Sequence, residues 1–287
     1  MTAPRVLAEG LRFGESPRWH EGRLWFSDFH DHAVKTVDLG GRVETEVEIP
    51  GQPSGLGWLP DGTLLIVSML DRIVLRLENE RLLVHADLSG VAEFHCNDMV
   101  VDAEGRAYVG NFGFDIHADL ERRGFLPMLR DHPLSNLALV APDGSVSVAA
   151  SDIDFPNGCV LTPDGKTLIV AETLGQRITA FRIGADGILT DRRIFADVPR
   201  RGPDGICLDA DGAIWFADPL TSECVRVGQG GQVLDVVTAD QSCFACTLGG
   251  EDGRTLFMMT AAAPTASEQR TGHILVTEVA VPRAGLP

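Results

Sequence analysis

One pattern recurs six times along this chain: a short apolar run, a polar turn ending in glycine, then an alternating apolar strand. It reads PRWHEGRLWFSDF at Pro17–Phe29, LGWLPDGTLLIVSML at Leu56–Leu70 and MVVDAEGRAYVGNF at Met99–Phe112. It returns as CVLTPDGKTLIVAET at Cys159–Thr173, ICLDADGAIWFADP at Ile206–Pro219 and CTLGGEDGRTLFMMT at Cys246–Thr260. Each copy carries a hairpin signal, with glycine supplying the positive φ that a tight turn demands. The turn glycines Gly22, Gly62, Gly105, Gly165, Gly212 and Gly253 are spaced 40, 43, 60, 47 and 41 residues apart.

Periods of about 40–50 residues with four strands each mark propeller blades. A second alternating pair follows most hairpins, as at Arg72–Leu88 and Arg177–Val198. The pattern therefore predicts an all-β, six-bladed β-propeller with four-stranded antiparallel blades, one domain over residues 1–287. The strand Arg5–Gly10 is expected to complete the last blade beside His273–Val279, which would remove the exposed sheet edges. Only the Gly105–Gly165 interval is long. Its extra residues, around 113–135, read as a rim insertion or lid, because long loops in compact domains tend to be functional.

Composition narrows the partners. A net charge of −17 speaks against a nucleic-acid or anionic membrane surface, both of which need clustered Lys and Arg. No apolar stretch has the length of a membrane span, and the N-terminus MTAPRVLAEGLRF lacks the apolar run of a signal peptide. The expectation is a cytoplasmic protein, monomeric or a small homo-oligomer, acting on a small molecule. Cys243-Phe-Ala-Cys246 has CxxC spacing but no second pair, and reads as packed structural cysteines rather than a redox or zinc motif.

The repeat also separates two kinds of Asp-Gly. Asp61, Glu104, Asp164, Asp211 and Asp252 precede the turn glycine and are turn residues; Asp143 sits in a similar hairpin turn. Asp204 lies eight residues ahead of its turn glycine, at the head of an innermost strand. The equivalent slots hold Glu15, Ser54, Asn97 and Asn157, and Phe244 or Ala245 in the sixth copy. Innermost strands start around the central channel, so these slots should converge on one axis. Two carboxylates and two carboxamides make an oxygen-rich ring, and crowding the acids is costly unless a hard divalent cation compensates them.

Those residues carry a resemblance. The chain resembles the gluconolactonase/regucalcin (senescence marker protein) family of six-bladed propellers through GESPRW with Glu15, CNDMVVDAEGRAYVGN with Asn97 and Asp98, PNGCVLTPDGKTLIVAET with Asn157, and PDGICLDADGAIWFAD with Asp204. The resemblance implies one divalent metal ion (Ca²⁺, Zn²⁺, Mg²⁺ or Mn²⁺) bound by Glu15, Asn157 and Asp204 with water, and Asn97 on the substrate side. It implies metal-assisted hydrolysis of a lactone: the ion polarises the carbonyl and acidifies a bound water. Asp204 is then the candidate base, with His95 or Asp98 as alternatives, and Asn97 donates to the developing oxyanion.

One departure matters. Sugar-lactone members commonly carry Arg two residues before the Asn matched by Asn97, and His95 stands there in this chain. With Phe94, Phe112, Phe114, Phe155, Asp115 and His117 as further pocket candidates, the expected substrate is less polar than a simple sugar lactone. Non-hydrolytic chemistry (isomerase, dehydratase or condensing enzyme) on the same scaffold, ester or organophosphate hydrolysis, and a non-enzymatic calcium-binding propeller are the competing classes. No G-x-S-x-G elbow and no phosphate-binding Gly-rich loop is present.

Overall fold

A computed structural model describes residues 3–265 and 269–285. It contains six separate four-stranded sheets, each antiparallel throughout. Five sheets take their strands in simple sequence order, covering residues 14–48, 53–87, 96–153, 156–197 and 206–238. The sixth joins Cys243–Gly249, Thr255–Thr260 and Gly272–Glu278 to the N-terminal strand Arg5–Leu11. Closure by the N-terminus therefore occurs with the pairing that the hydrophobic alternation predicted.

Burial falls from the axis outward. The innermost strands Cys96–Val101, Pro156–Leu161 and Cys243–Gly249 are buried along their whole length, whereas outer strands such as Arg81–Asp87 are largely solvated. Among the described residues, six apolar clusters fill the gaps between neighbouring blades, and two smaller ones gather around Phe13 and Phe155. Val34 with Leu56 and Ile66 fills the first gap, and Val67 with Met99 and Val109 the second. Val100 with Cys159 and Val170, then Ile178 with Ile206 and Phe216, fill the next two. Trp215 with Cys246 and Leu256, then Phe257 with Leu24 and Phe26, complete the ring. Each blade is thus stabilised only by its neighbours, so no blade's burial is complete until the ring closes.

All six turn glycines have positive φ, from 65° to 87°. Asp61, Asp164 and Asp252 each accept the amide of the residue two further on, as an Asx turn requires. In the third and fifth copies that duty falls instead to Asp102 and Asp209, which also pair with Arg106 and Arg226. Glu104 and Asp211 are the residues they cap.

Gly205 obeys a different constraint. It is not in the positive-φ region; a Cβ there would lie 2.7 Å from the Cα of Ala245 in the next blade. At Gly158 a Cβ would lie 2.5 Å from the backbone nitrogen of Ile206. Adjacent inner strands approach too closely for any side chain.

The cysteines are free and buried. Cys243 faces Cys224 at 3.5 Å rather than Cys246, whose Sγ contacts the Gly205 carbonyl. The long interval in blade 3 folds into two short helices, α1 (Ile116–Arg123) and α2 (Phe125–Arg130), with Asp115 capping α1. No helix among the described residues is long and apolar enough to cross a membrane.

Overpacking a close-packed interior costs about 1–3 kcal/mol. Gly158→Ala and Gly205→Ala should each lower stability by about that amount in urea unfolding. Near-neutral values would contradict the close inter-blade contact.

Candidate functional site

In five blades the ladder between the innermost strand and its neighbour slips by a bulge, between Glu15 and Arg18, Pro53 and Leu56, Cys96 and Met99, Pro156 and Cys159, and Cys243 and Ala245. Blade 5 reaches the same end differently. Its regular strand starts at Ile206, and the preceding turn is held by Asp204 N donating to the Ala217 carbonyl and Ala217 N to that of Gly205. Bulges re-aim side chains next to functional sites. Here they release the slot residues from the pleat, and Glu15, Asn97, Asn157, Asp204 and Phe244 line one cavity at the channel mouth. Ser54 lies fully buried beside Asn97. Non-glycine residues in the left-handed region, Ser16 (φ 48°) and Phe155 (φ 60°), flank Glu15 and Asn157, a strain typical of such sites.

A directed chain of hydrogen bonds fixes the amides. The Thr173 hydroxyl donates to the Pro203 carbonyl at 2.8 Å and so must accept from Asn157 Nδ2 at 3.2 Å. Asn157 Oδ1 therefore faces Asn97 Nδ2, also at 3.2 Å, and Asn97 Oδ1 accepts from Ser54 Oγ at 3.1 Å. This orientation leaves one amide hydrogen and one Oδ1 lone pair on Asn97 and one Oδ1 lone pair on Asn157 uncommitted, while Asn157 also hydrogen-bonds Asp204.

Glu15 and Asp204 are both buried. Burial pushes the Glu15 carboxyl up to about 8, although the Ser16 amide bonded to it pulls the other way. Burial also pushes Asp204 well above the usual carboxylate range, with the Glu15 and Asp98 charges adding to it. The Arg18 guanidinium, whose charge opposes the rise at Glu15, is committed to Asp98 at 2.6 Å. Asp98 is further held by Ser16 Oγ and the Met99 amide and does not line the cavity, which removes it as a base candidate there. Among the described residues no three His, Cys, Asp or Glu side chains converge as a metal set. The donors that fit a hard cation are the two under-compensated carboxylates and the free lone pair of Asn157, an all-oxygen set with positions left for water.

The cavity above this floor measures about 380 Å³ and is built by two further repeat-related positions. Two residues before the slot stand Phe13, Gln52, His95 and Phe155; directly after the second strand stand Phe29, Met69, Phe112 and Thr173. All eight line it. They are backbone-paired blade by blade: the amides of Phe29, Met69, Phe112 and Thr173 donate to the carbonyls of Phe13, Gln52, His95 and Phe155. Of the sequence candidates, His95, Phe112, Phe155 and His117 reach the cavity. Phe114 and Phe94 do not: Phe114 packs behind Phe155 and His132, and Phe94 stacks on His95. Asp115 is occupied as the α1 cap. Phe13, Phe29 and Met69 form a wall with Phe244 of the sixth slot; motif reading did not single out the first three, although their repeat register was visible. Burial lowers the His95 pKa, so the ring is neutral at pH 7.

Six blades with an acid and amide ring at one channel mouth define a propeller with an axial site. The family model described as SMP-30/Gluconolactonase/LRE-like region matches residues 13–262, and the chain belongs to that family. It is 24% identical to regucalcin of Xenopus laevis over 264 residues, spanning 89% of this chain and 85% of the relative. It is 27% identical to a pentonolactonase of Haloferax volcanii over 276 residues, spanning 91% and 86%. In fold it is similar to the structure of a calcium-binding regucalcin from Agrobacterium tumefaciens, with a TM-score of 0.80 at 21% identity over 99% of this chain and 96% of that one.

Two outcomes check the site. Carboxyl groups with raised folded pKa values are bound to protons in the folded chain after the unfolded chain has lost them, so stability falls as pH rises from the ordinary value of 4.5 towards about 8. In chelator-treated protein, Tm should fall from about pH 5 to about pH 8, and a divalent ion should raise Tm more at the higher pH. Glu15→Gln should flatten both trends; ion effects equal at both pH values would count against the carboxylate pair. Thr173→Val releases the amide chain and should weaken divalent-ion affinity by about tenfold, the low end for an outer-shell partner, as read by titration calorimetry.

Proposed function

We propose that this protein hydrolyses a lactone less polar than a simple sugar lactone, using one divalent cation held by Glu15, Asn157 and Asp204. The observation that carries the reading is the pair of buried carboxyls, Glu15 and Asp204, on the floor of a cavity that no Lys or Arg among the described residues lines. Family membership and lactonases among the relatives, including the pentonolactonase, support it. When bound, a hard cation (Ca²⁺, Mg²⁺, Mn²⁺ or Zn²⁺) supplies Lewis acidity towards the ester carbonyl and lowers the pKa of water.

The chain's own groups supply the rest. Asn97, pinned by Ser54 and Asn157, holds its spare amide hydrogen towards the cavity, where it donates to the carbonyl oxygen as negative charge develops. The Asp204 carboxylate takes the proton of the attacking water and returns it to the ring oxygen as the acyl C–O bond breaks, leaving the open-chain hydroxy acid. Its buried setting raises its basicity, while a bound cation lowers it. His95 is the second base candidate, a neutral imidazole facing the same cavity. The apolar walls exclude bulk water from the floor and strengthen each of these electrostatic contacts.

Asp204→Ala should abolish both ion binding, read by elemental analysis, and lactone turnover. His95→Gln should keep the ion and lose about 10²-fold or more in kcat only if the imidazole is the base. Full turnover by Asp204→Ala, or by chelated wild-type protein, would refute the proposal.

A further inference from the structure

The two tiers of side chains above the floor differ sharply in chemistry from the floor itself. The first wall joins Phe13, Phe29 and Phe244, with ring centroids 5.5 Å apart for Phe13–Phe29 and 4.7 Å for Phe13–Phe244, beside Met69. The second joins Phe112 and Phe155, stacked at 5.0 Å, with Ile116 of α1 packed against them. No Lys or Arg among the described residues lines the cavity. The guanidinium of Arg72, close enough to depress the His95 pKa, is bonded to the Ala92 carbonyl and stays outside. The polar groups on the tiers are the neutral side chains of Gln52, His95 and Thr173, with His30, His117 and Thr265 at the rim.

A substrate bearing phosphate, sulfonate or carboxylate would therefore enter a site with no Lys or Arg to pair with its charge, above a floor whose cation, when bound, is already matched by the Glu15 and Asp204 carboxylates. A polyhydroxylated ring would lose water from hydroxyls that two phenylalanine walls cannot replace. An apolar substituent gains from both walls.

Building on the lactone reading, we infer that the substrate is an uncharged lactone carrying an aryl or branched alkyl substituent, with the lactone carbonyl at the Glu15–Asn97–Asp204 floor and the substituent between the Phe13–Phe29–Phe244 and Phe112–Phe155 walls. The paired positions two before the slot and one after the second strand set specificity; the slot ring sets the chemistry.

The test compares unsubstituted δ-valerolactone, a phenyl-substituted δ-lactone, glucono-δ-lactone and its 6-phosphate with the ion-loaded full chain. Binding of the matching phenyl-substituted δ-lactam, which resists hydrolysis, is measured alongside by calorimetry. The phenyl lactone should exceed δ-valerolactone and glucono-δ-lactone in kcat/KM by about 10- to 100-fold, the range expected for burying one aromatic ring, and the 6-phosphate should be inert. Phe112→Ala and Phe29→Ala should each lower kcat/KM for the phenyl lactone by about tenfold, a larger loss than for δ-valerolactone. Met69→Arg should raise kcat/KM for the 6-phosphate. Lactam binding without hydrolysis of any lactone would uphold the inferred ligand class and overturn the hydrolytic reading. Preference for glucono-δ-lactone or its 6-phosphate would overturn the inference and leave lactone hydrolysis standing. Absence of both lactam binding and phenyl-lactone turnover would overturn it as well.

Discussion

The structure depends on how closely six inner strands crowd around one axis. Where a Cβ at Gly55 would meet the Met99 amide at 2.4 Å, and one at Gly158 the Ile206 amide at 2.5 Å, neighbouring blades touch through backbone. That contact leaves no room for apolar filling at the strand heads. It turns the slot side chains into the channel mouth, where they meet one another. Glycine at the position after Ser54, Asn157 and Asp204 is thus part of the site's construction, and the six inter-blade cores are what hold the ring shut.

From that crowding follows the division of the site into layers. At the floor, polar groups are forced together: amides settle into a chain whose direction is set by the acceptor-only carbonyl of Pro203, and two carboxyls resist ionisation. One step outward, blades 1 to 4 each contribute a backbone-paired couple whose side chains differ from blade to blade because the pairing uses only main-chain atoms. In the proposed reading, chemistry and specificity fall to separate registers of the same repeat. Blade 1 contributes Phe13 and Phe29 above Glu15; blade 4 contributes Phe155 and Thr173 above Asn157.

Much of this was legible in the chain. The turn glycines and alternating strands identify six blades, and counting back from them identifies Glu15, Asn97, Asn157 and Asp204 as one ring, because repeat register is a geometric quantity. The walls were harder. Phe112 and Phe155 adjoin motif residues, whereas Phe13, Phe29 and Met69 carry no motif of their own, and Phe114 is as apolar as Phe112. A phenylalanine facing a cavity and one packed behind it have the same hydrophobicity; only position relative to a bulge separates them.

The sequence by itself determined the number of blades, the closure by Arg5–Leu11 and which side chains share the axis, since these follow from periodicity and turn chemistry, both local. Tertiary structure alone decided the direction of the amide chain, the commitment of Arg18 to Asp98 instead of to Glu15, and the apolar lining above the acids. Those outcomes depend on distances between residues as far apart as Arg18 and Asp98, or Thr173 and Pro203. Such distances exist only once the blades have closed into a ring.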